Sequence, residues 1–281
     1  MNRSHRFASL LLSIVMFAGI FPAHADELMD AIRKRGSLKV AVYNNFPPYS
    51  SAGKGIDVEL GQALAAKLGL RADIIDFFAG EDMNDDLRNM VWKGHYLRGD
   101  PADVMMRVPV DPIFADGNDK ARIFAPYHQE VISMARVASR IPAPNGSAAV
   151  ALEVFTREKI GVESDTLSDS FLGGVLNGRL RSNIVHLHTV GDAVNALRDG
   201  DIAAVMAPRG ELESALAGDT RYAIDEVKLG ELKPKGWAIG MAVKSESGEL
   251  AGALVGALAE LQKDGTVAAI FKRHSVSLYL P

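Results

Sequence analysis

The hydrophobic pattern changes period within one stretch, residues 38–70, and predicts a strand, a loop and a helix there. Leu38–Tyr43 alternates in polarity and is rich in valine, which is typical of a strand. Leucines then recur every fourth residue over Leu60–Leu68, which places them on one face of a helix. Asp57 stands at the position of an N-cap and Gly69 at that of a C-cap, so we expect the helix between them.

The connection between this strand and this helix carries the first candidate chemistry. Residues 44–49 contain two consecutive prolines, which cannot donate to a sheet, and several aromatic and amide side chains. Ligands of open α/β sheets bind at the carboxyl ends of strands. We therefore predict a ligand cleft here, lined by Tyr43, Asn45, Phe46 and Tyr49. Simple packing of the aromatic rings on the strand ends is the alternative.

Strand and helix patterns continue to alternate along the chain. Further strands are predicted at 71–78, 102–108, 129–137, 159–162, 184–187, 202–207 and 237–243. Helices are predicted at 27–35, from 85 onward, and at 166–176, 190–198, 209–216, 249–262 and 267–271. This alternation is typical of parallel α/β layers. The proline-containing connection Ser139–Ser147 separates two such series, which predicts two lobes joined by a hinge.

The first 25 residues are typical of a secretory signal peptide. Arg3 and Arg6 precede an apolar run, Phe7–Phe21, and a small-x-small sequence ends at Ala25. We expect cleavage after Ala25 and export to the periplasm, with no membrane attachment afterwards. An uncleaved membrane anchor is the alternative, although the apolar run is short for a span.

Composition excludes several function classes. The chain has no cysteine, so disulfides and thiolate chemistry are excluded. Its formal charge is −4, and loss of the predicted signal peptide would leave 29 basic and 35 acidic residues, a charge of −6. An acidic chain without a basic tract is a poor candidate for binding nucleic acid or an anionic membrane.

Catalytic and metal-binding signals are weak. The sequence has no nucleophile elbow, zinc-protease motif, phosphate-binding loop or dinucleotide fingerprint, so we expect a non-enzyme without a cofactor. The acidic residues of 81–86 offer oxygen ligands for a hard cation, but they also suit the start of a helix. His186 and His188 share one strand face without a visible third ligand.

The order of motifs resembles the family 3 periplasmic solute-binding proteins. The motifs are LKVAVYNNFPPYS, GIDVELGQALAAKLGL, PADVMM, FAPYH, KIGVESDT, GDIAAVMA and WAIGMAVKSESGELAGALVGALAELQKDGTVAAIFKRH. The resemblance implies an α/β fold, that of a two-lobed (type II) periplasmic binding protein with a central cleft and a two-strand hinge. Lobe 1 would comprise residues 26–137 and 240–281, and lobe 2 residues 138–239.

The chain departs from this family where amino-acid binders hold their ligand. The arginine that binds the ligand carboxylate would align near Gly117 or Asn118, and Arg122 comes too late. Pro208 stands where an aspartate takes the ligand ammonium. Thr166, in a segment that offers a hydroxyl to the carboxylate, is retained. The resemblance therefore implies this fold with a different ligand or task.

One longer segment, residues 77–111, resembles accessory proteins of periplasmic methanol dehydrogenases, the MxaJ and XoxJ types. It reads FFAGEDMNDDLRNMVWKGHYLRGDPADVMMRVPVD. This resemblance implies a partner, a pyrroloquinoline-quinone-dependent methanol dehydrogenase of the calcium or lanthanide kind, and with it a cytochrome c. We expect a monomeric accessory protein. The alternative is an ABC-transporter solute-binding protein for a small, non-amino-acid ligand.

Three further candidates lie in or beside that segment. Trp92 follows a predicted helix and is either a partner contact or packed on the lobe. Met105 and its neighbour alternate across a strand, so one of the two is expected in the core and the other at the cleft wall. Arg107 occupies the mouth side of the same strand, where it would bind an anion or form an ion pair.

Overall fold

The computed structural model of the chain describes residues 27–97 and 99–281. The predicted signal peptide lies outside these residues. Within the described part, every helix is too short or too polar to span a bilayer.

The described residues form nine strands and ten α-helices. The strands are β1 (Ser37–Tyr43), β2 (Arg71–Phe77), β3 (Val104–Pro109), β4 (Ala121–Val137), β5 (Ile160–Glu163), β6 (Ile184–Leu187), β7 (Ala204–Pro208), β8 (Tyr222–Glu226) and β9 (Gly236–Lys244). The helices are α1 (Glu27–Arg35), α2 (Ile56–Lys67), α3 (Met83–Leu87), α4 (Pro112–Asp116), α5 (Ala148–Ala151), α6 (Leu167–Gly174), α7 (Val190–Asp199), α8 (Arg209–Leu216), α9 (Gly248–Lys263) and α10 (Thr266–Arg273).

The strands follow the order β2-β1-β3-β9-β4-β7-β5-β6, and β8 pairs with β4 outside this path. The β2-β1-β3 part is parallel, as is the β7-β5-β6 part. Both parts are joined through β4 and β9, which run antiparallel to each other. We call the part around β1 the first half and the part around β5 the second half. Each half has the parallel α/β layering that the sequence pattern predicts.

The strand β4 belongs to both halves because it is 17 residues long. Its first portion pairs with β9 up to Val131, and its second portion pairs with β7 and β8 from Ile132 onward. At this crossing Glu130 lies opposite Trp237, and Val131 lies opposite Gly236. The crossing is therefore the place where the two halves are covalently and laterally joined.

Separate hydrophobic cores lie on the faces of each half. In the first half, α2, α9 and α10 cover Val40 and Met106 on one face of the sheet. A π-helical turn, Arg88–Trp92, follows α3 on the other face. In the second half, the cores form around Met134 on one face and Ala135 on the other. The residue numbers at which one lobe ends and the other begins stay a prediction.

The C-terminal tail after α10 spans both halves. The backbone N–H of Ser277 donates to Glu213 Oε2 of α8 at 2.7 Å. Two residues further on, the carbonyl of Tyr279 accepts a hydrogen bond of 2.7 Å from the backbone of Gln129 on β4. The tail thus contacts the second half and the crossing strand although it follows directly on the first half.

The predicted bounds of α1, β6 and α8 are confirmed to within one residue, because each has strong local periodicity. Sequence analysis missed β8, whose residues are all half-buried and give no clear alternation. It also missed α4, which lies in a segment without a predicted helix or strand. The side chain of Asp111 caps this short helix by accepting from Phe114 N at 2.8 Å.

The crossing requires a glycine at position 236, which gives a first prediction. A Cβ at Gly236 would lie 2.1 Å from the carbonyl oxygen of Glu130. We expect Gly236→Ala to lower the free energy of unfolding by about 2 kcal/mol, because backbone must move to relieve the contact. Gly252→Ala, in the exposed middle of α9 with no neighbour within 4 Å, should stabilise by up to about 1 kcal/mol. Urea denaturation measures both; equal stability of the two variants would contradict the close approach.

Candidate functional site

A cavity of about 390 Å³ lies between the two halves, at the carboxyl ends of β1 and β3. The residues of its wall that matter below are Tyr43, Asn45, Phe46, Arg107, Glu211 and Trp237. A second cavity of about 390 Å³ adjoins it and shares Asn45, Phe46 and Glu211. Both halves and the crossing strand β9 contribute to this cleft. Its position is that of the cleft predicted from the loop after β1.

The loop after β1 holds its aromatic residues through its own backbone. Phe46 N donates to Ser50 O, and Tyr49 N donates to Phe46 O at 2.9 Å. The ring of Phe46 lies 6.0 Å from the ring centre of Tyr43 and 5.7 Å from that of Tyr49. Tyr43 and Phe46 line the cavity, whereas Tyr49 is fully buried beneath them, which corrects its predicted position in the cleft wall. The loop therefore forms an aromatic wall in two layers.

A β-bulge aims Arg107 at the floor of the cleft. The register of β3 against β9 shifts between Met106 and Val108, and Arg107 between them has a left-handed φ of 62°. Its side chain is almost fully buried and its guanidinium carbon lies 3.2 Å from the ring centre of Tyr49. Stacking on an aromatic face suits the planar guanidinium.

The charge of Arg107 is neutralised inside the protein. Its Nη2 donates to Glu130 Oε2 at 2.7 Å, and the Tyr49 hydroxyl donates to the same oxygen at 2.9 Å. Its Nη1 is shielded from solvent and has no hydrogen-bond partner among the described residues. Burial alone would lower the pKa of Arg107, but Tyr49 and Glu130 raise it above its ordinary value. The sequence left two roles open for Arg107, anion binding or an ion pair, and in the structure Arg107 forms the ion pair with Glu130.

Asp57 belongs to the same buried network, which corrects its prediction as an N-cap. Gly55 occupies the N-cap position of α2 instead. The Asp57 carboxylate accepts a hydrogen bond of 2.7 Å from the Tyr127 hydroxyl, which in turn accepts from the backbone N–H of Arg107 at 3.2 Å. Burial raises the pKa of Asp57 to about 6, against the opposing effect of Arg107.

Glu211, in the first turn of α8, is the acidic residue that the second half presents to the cleft. It is 8 % exposed and borders both cavities. Burial raises the pKa of Glu211 to about 8, Arg107 lowers it, and Glu130 and Glu163 raise it further. Among the described residues, no group forms a hydrogen bond that stabilises its carboxylate.

Three predicted site residues lie away from the cleft. Met105 is fully buried in the core beside Phe77, so Met105 forms no part of the cleft wall. Trp92 packs on the same core, with the ammonium group of Lys120 4.5 Å from its ring centre. Thr166 Oγ1 accepts from Asp169 N at 3.3 Å and so caps α6. These placements correct the expectation that Met105 and Thr166 line the cleft.

Sequence reasoning missed the acidic partners of the site. Glu130 stands within a long apolar strand, and a buried carboxylate in such a strand requires a cation, which is a signal that could have found it. Tyr127 and Asp57 meet only through the fold. Glu211 has no distinctive sequence pattern, because its role depends on how α8 approaches the loop after β1.

Across 27–97 and 99–281, no group of three or more His, Asp or Glu side chains could hold a metal ion. Asp82 caps α3, and Asp86 accepts a hydrogen bond of 2.7 Å from the Tyr43 hydroxyl. His186 lies 3.0 Å from Asp169 at the surface. Asp82, Asp86 and His186 thus have local structural contacts.

Comparison with curated proteins gives a distant relative in sequence. No family model matches the chain. The L-cystine-binding protein TcyJ of Escherichia coli K12 is 23% identical over 277 residues, which covers 94% of this chain and 92% of that protein.

Solved structures match over most of the chain. An ancestral cationic amino acid solute-binding protein, AncCDT-1, has a TM-score of 0.68 at 18% identity, covering 88% of this chain and 99% of its own. An arginine-bound amino acid ABC transporter substrate-binding protein of Streptococcus pneumoniae has a TM-score of 0.61 at 21% identity, covering 90% and 98%. The solute receptor for L-cysteine of Neisseria gonorrhoeae has a TM-score of 0.57 at 18% identity, covering 87% and 92%.

At this identity, such agreement over nearly whole chains shows the fold. The chain has the two-lobed α/β fold of periplasmic solute-binding proteins, with a cleft between the lobes, and the predicted fold class is confirmed.

The ion pair at the cleft floor gives a second prediction. Glu130→Ala leaves the Arg107 guanidinium buried without its partner, and we expect a loss of about 3–5 kcal/mol in the free energy of unfolding. The double variant Arg107→Met with Glu130→Met removes both charges and should recover most of that loss. Urea denaturation of the two variants is the measurement. A double variant as unstable as the single one would show that packing, not charge, dominates here.

Glu211 gives a third prediction, on pH dependence. Its folded-state pKa of about 8 lies above the ordinary value of 4.5, so its contribution to stability is greatest below pH 4.5 and is lost as pH rises through 8. Glu211→Gln removes this loss. We expect the variant to exceed the wild type in stability at pH 8.5 by on the order of 3 kcal/mol, and to equal it near pH 4. Parallel stability curves from pH 4 to 9 would contradict the assignment.

Proposed function

We propose that this protein is a non-catalytic periplasmic accessory protein of methanol oxidation. It would bind a pyrroloquinoline-quinone-dependent methanol dehydrogenase and aid its maturation or activation, with the associated cytochrome c as a further contact. The predicted signal peptide and the periplasmic character of similar proteins support this compartment. The resemblance of residues 77–111 to accessory proteins of these dehydrogenases supports the partner.

The observation that carries the proposal is an apolar groove built by that same segment. The groove has a volume of about 330 Å³ and is bordered by Phe78, Met90 and Leu97. Phe78 is 70% exposed and Leu97 75%, and the neighbouring Tyr96 is 88% exposed. Exposed aromatic and aliphatic side chains around a pocket are typical of protein-binding hot spots. We define Phe78, Tyr96 and Leu97 with their pocket as the groove of the first half.

The backbone beneath the groove also supports a specialised role. The π-helical turn Arg88–Trp92 supplies Met90 to the groove and Val91 to the core behind it. Such turns are rare and occur frequently at functional sites. In this turn the consecutive residues Met90 and Val91 thus contact the groove and the core, respectively.

The cleft supports a task other than amino-acid transport. Arg107 is already paired with Glu130, so it offers no free charge to a ligand carboxylate. Arg122 is exposed on β4, and Asn118 binds Asn84 and the carbonyl of Phe114. Pro208 lines the cavity without a charge. The names of similar proteins refer to cystine, arginine and cysteine, whose zwitterionic ends require the charges that are absent from these positions.

The second candidate function is that of an ABC-transporter solute-binding protein for a small, non-amino-acid ligand. The 390 Å³ cavity between the halves favours it, because this volume suits a small molecule and the wall is largely aromatic and aliphatic. Under this alternative the groove of the first half would have no dehydrogenase partner.

Calorimetry of the purified mature protein with the cognate dehydrogenase tests the accessory role. Metal-free and metal-loaded enzyme serve as separate titrants. We expect binding to at least one form, and we expect Phe78→Ser with Leu97→Ser to weaken it by about tenfold or more, because these side chains would be buried by the partner.

The matched control is Val150→Ser, which removes an equally exposed apolar side chain, 72% exposed, from the second half. It should leave the affinity unchanged. Absence of heat and of co-elution with either enzyme form would overturn the accessory role. If Val150→Ser weakened the affinity for the dehydrogenase as much as the double variant does, the groove would not be the binding surface.

A further inference from the structure

The acidic and basic groups at the cleft floor do not balance. Arg107 is the cation of this cluster within the described chain, and three carboxyl groups surround it: Asp57, Glu130 and Glu211. His128 adds no charge at neutral pH, since burial lowers its pKa to about 4. A buried cluster with this excess of acids holds either protons or an additional cation.

Glu211 is the carboxyl group of this cluster for which the described residues provide no ion pair or hydrogen bond. Glu130 pairs with Arg107 and accepts from Tyr49 through Oε2, although its Oε1 has no hydrogen-bond partner among the described residues, and Asp57 accepts from Tyr127. The remaining carboxyl group, at Glu211, borders both cavities of the cleft.

The neighbouring charges on the second half do not supply a partner for Glu211. Arg209, two residues earlier on α8, is engaged by Glu213 at 2.6 Å. Glu163 borders the adjoining cavity and is itself acidic, with a pKa raised by burial. The cleft side of Glu211 is therefore open to a positively charged ligand.

Aromatic side chains complete the environment that an organic cation requires. Tyr43, Phe46 and Trp237 line the same cavity as Glu211, and the guanidinium carbon of Arg107 already lies 4.9 Å from the centre of the Phe46 ring. Ammonium groups bind favourably over aromatic faces, and most strongly over tryptophan. The cavity volume of about 390 Å³ accommodates a small molecule.

The same geometry disfavours a ligand carboxylate. Glu130 already accepts from Nη2 of Arg107, and a ligand carboxylate that approached the unpaired Nη1 would meet Glu130 and Glu211 as like charges. An amine without an acidic group avoids both contacts.

We propose that the cleft is a binding site for a small organic ammonium ion without a carboxylate, with Glu211 as its counter-ion and the ring of Trp237 as its aromatic wall. This site is separate from the groove of the first half and does not depend on the accessory role. Since Arg107, Glu130 and Glu163 all face the Glu211 region, the ligand charge also offsets the acidic excess.

Binding of a cation beside Glu211 is expected to release a proton from its carboxyl group. Glu211 holds a proton at neutral pH because its pKa is about 8, and a cation binds the deprotonated carboxylate. Binding at pH 7 therefore releases close to one proton per ligand. The affinity rises with pH up to about 8 and levels off above it.

The test is isothermal titration of the mature protein with tetramethylammonium chloride and with methylammonium chloride. Glycine serves as the zwitterionic comparison and sodium chloride as the ionic-strength control. We expect saturable binding of at least one ammonium salt, with none for glycine. Titration in two buffers of different ionisation enthalpy reports the proton released by the wild type, so that the test does not depend on a variant.

Glu211→Gln is the variant that removes the counter-ion, and it should weaken ammonium binding by at least about tenfold and abolish proton release. Glu226→Gln, which removes a half-buried carboxylate of β8 paired with Lys228, is the matched control and should bind as the wild type does. Thermal melting verifies that both variants are folded. Binding without proton release, equal binding of glycine, or an absence of saturable binding would overturn the proposal, whatever the dehydrogenase titration shows.

Discussion

The burial of one guanidinium group constrains this structure more than any other interaction. Arg107 reaches the floor of the cleft through a bulge in β3, and a charge removed from water there requires partners from elsewhere in the chain. β4 supplies Glu130, the loop after β1 supplies the ring and hydroxyl of Tyr49, and Tyr127 links the pair to Asp57 on α2. Strand register, loop conformation and helix start are thereby fixed relative to one another, since a shift in any of them would leave a buried charge unpaired.

This internal neutralisation defines the charge of the cleft. Glu130 provides the carboxylate that pairs with Arg107, and an acidic group, Glu211, borders the same cavity from the second half. The groove of the first half has its own lining, apart from Ala79, which borders both the groove and the cleft cavity. Two surfaces with distinct chemistry therefore exist on one scaffold, an apolar one suited to a protein and an acidic, aromatic one suited to a small cation.

Local pattern was sufficient for most of the fold, but not for the chemistry of the site. The four-residue spacing of leucines in α2 and α9 and the valine-rich alternation of β1 correctly predicted the layers. The position of Arg107 was predicted, whereas its partner was not, because Glu130 is 23 residues away and meets it only where β4 crosses between halves. Asp57 misled for the opposite reason: an aspartate before a helix satisfies a capping rule, yet tertiary burial recruits it to Tyr127. β8 and the groove depend on packing that no short window contains.

The crossing of β4 and β9 has a mechanical consequence for the charge cluster. When two bodies rotate about a shared axis, atoms are displaced in proportion to their distance from that axis. Glu130 lies opposite Trp237 at the crossing itself, so its lever arm is short, whereas Glu211 is carried by α8 of the second half. Opening of the cleft would thus leave the Arg107–Glu130 pair nearly stationary while it moved the outer carboxylate away from the aromatic wall. The electrostatic work of opening would then depend on the group that bridges Glu211 and the aromatic wall, and opening would strain the tail, in which Ser277 donates to Glu213 and Tyr279 accepts from Gln129.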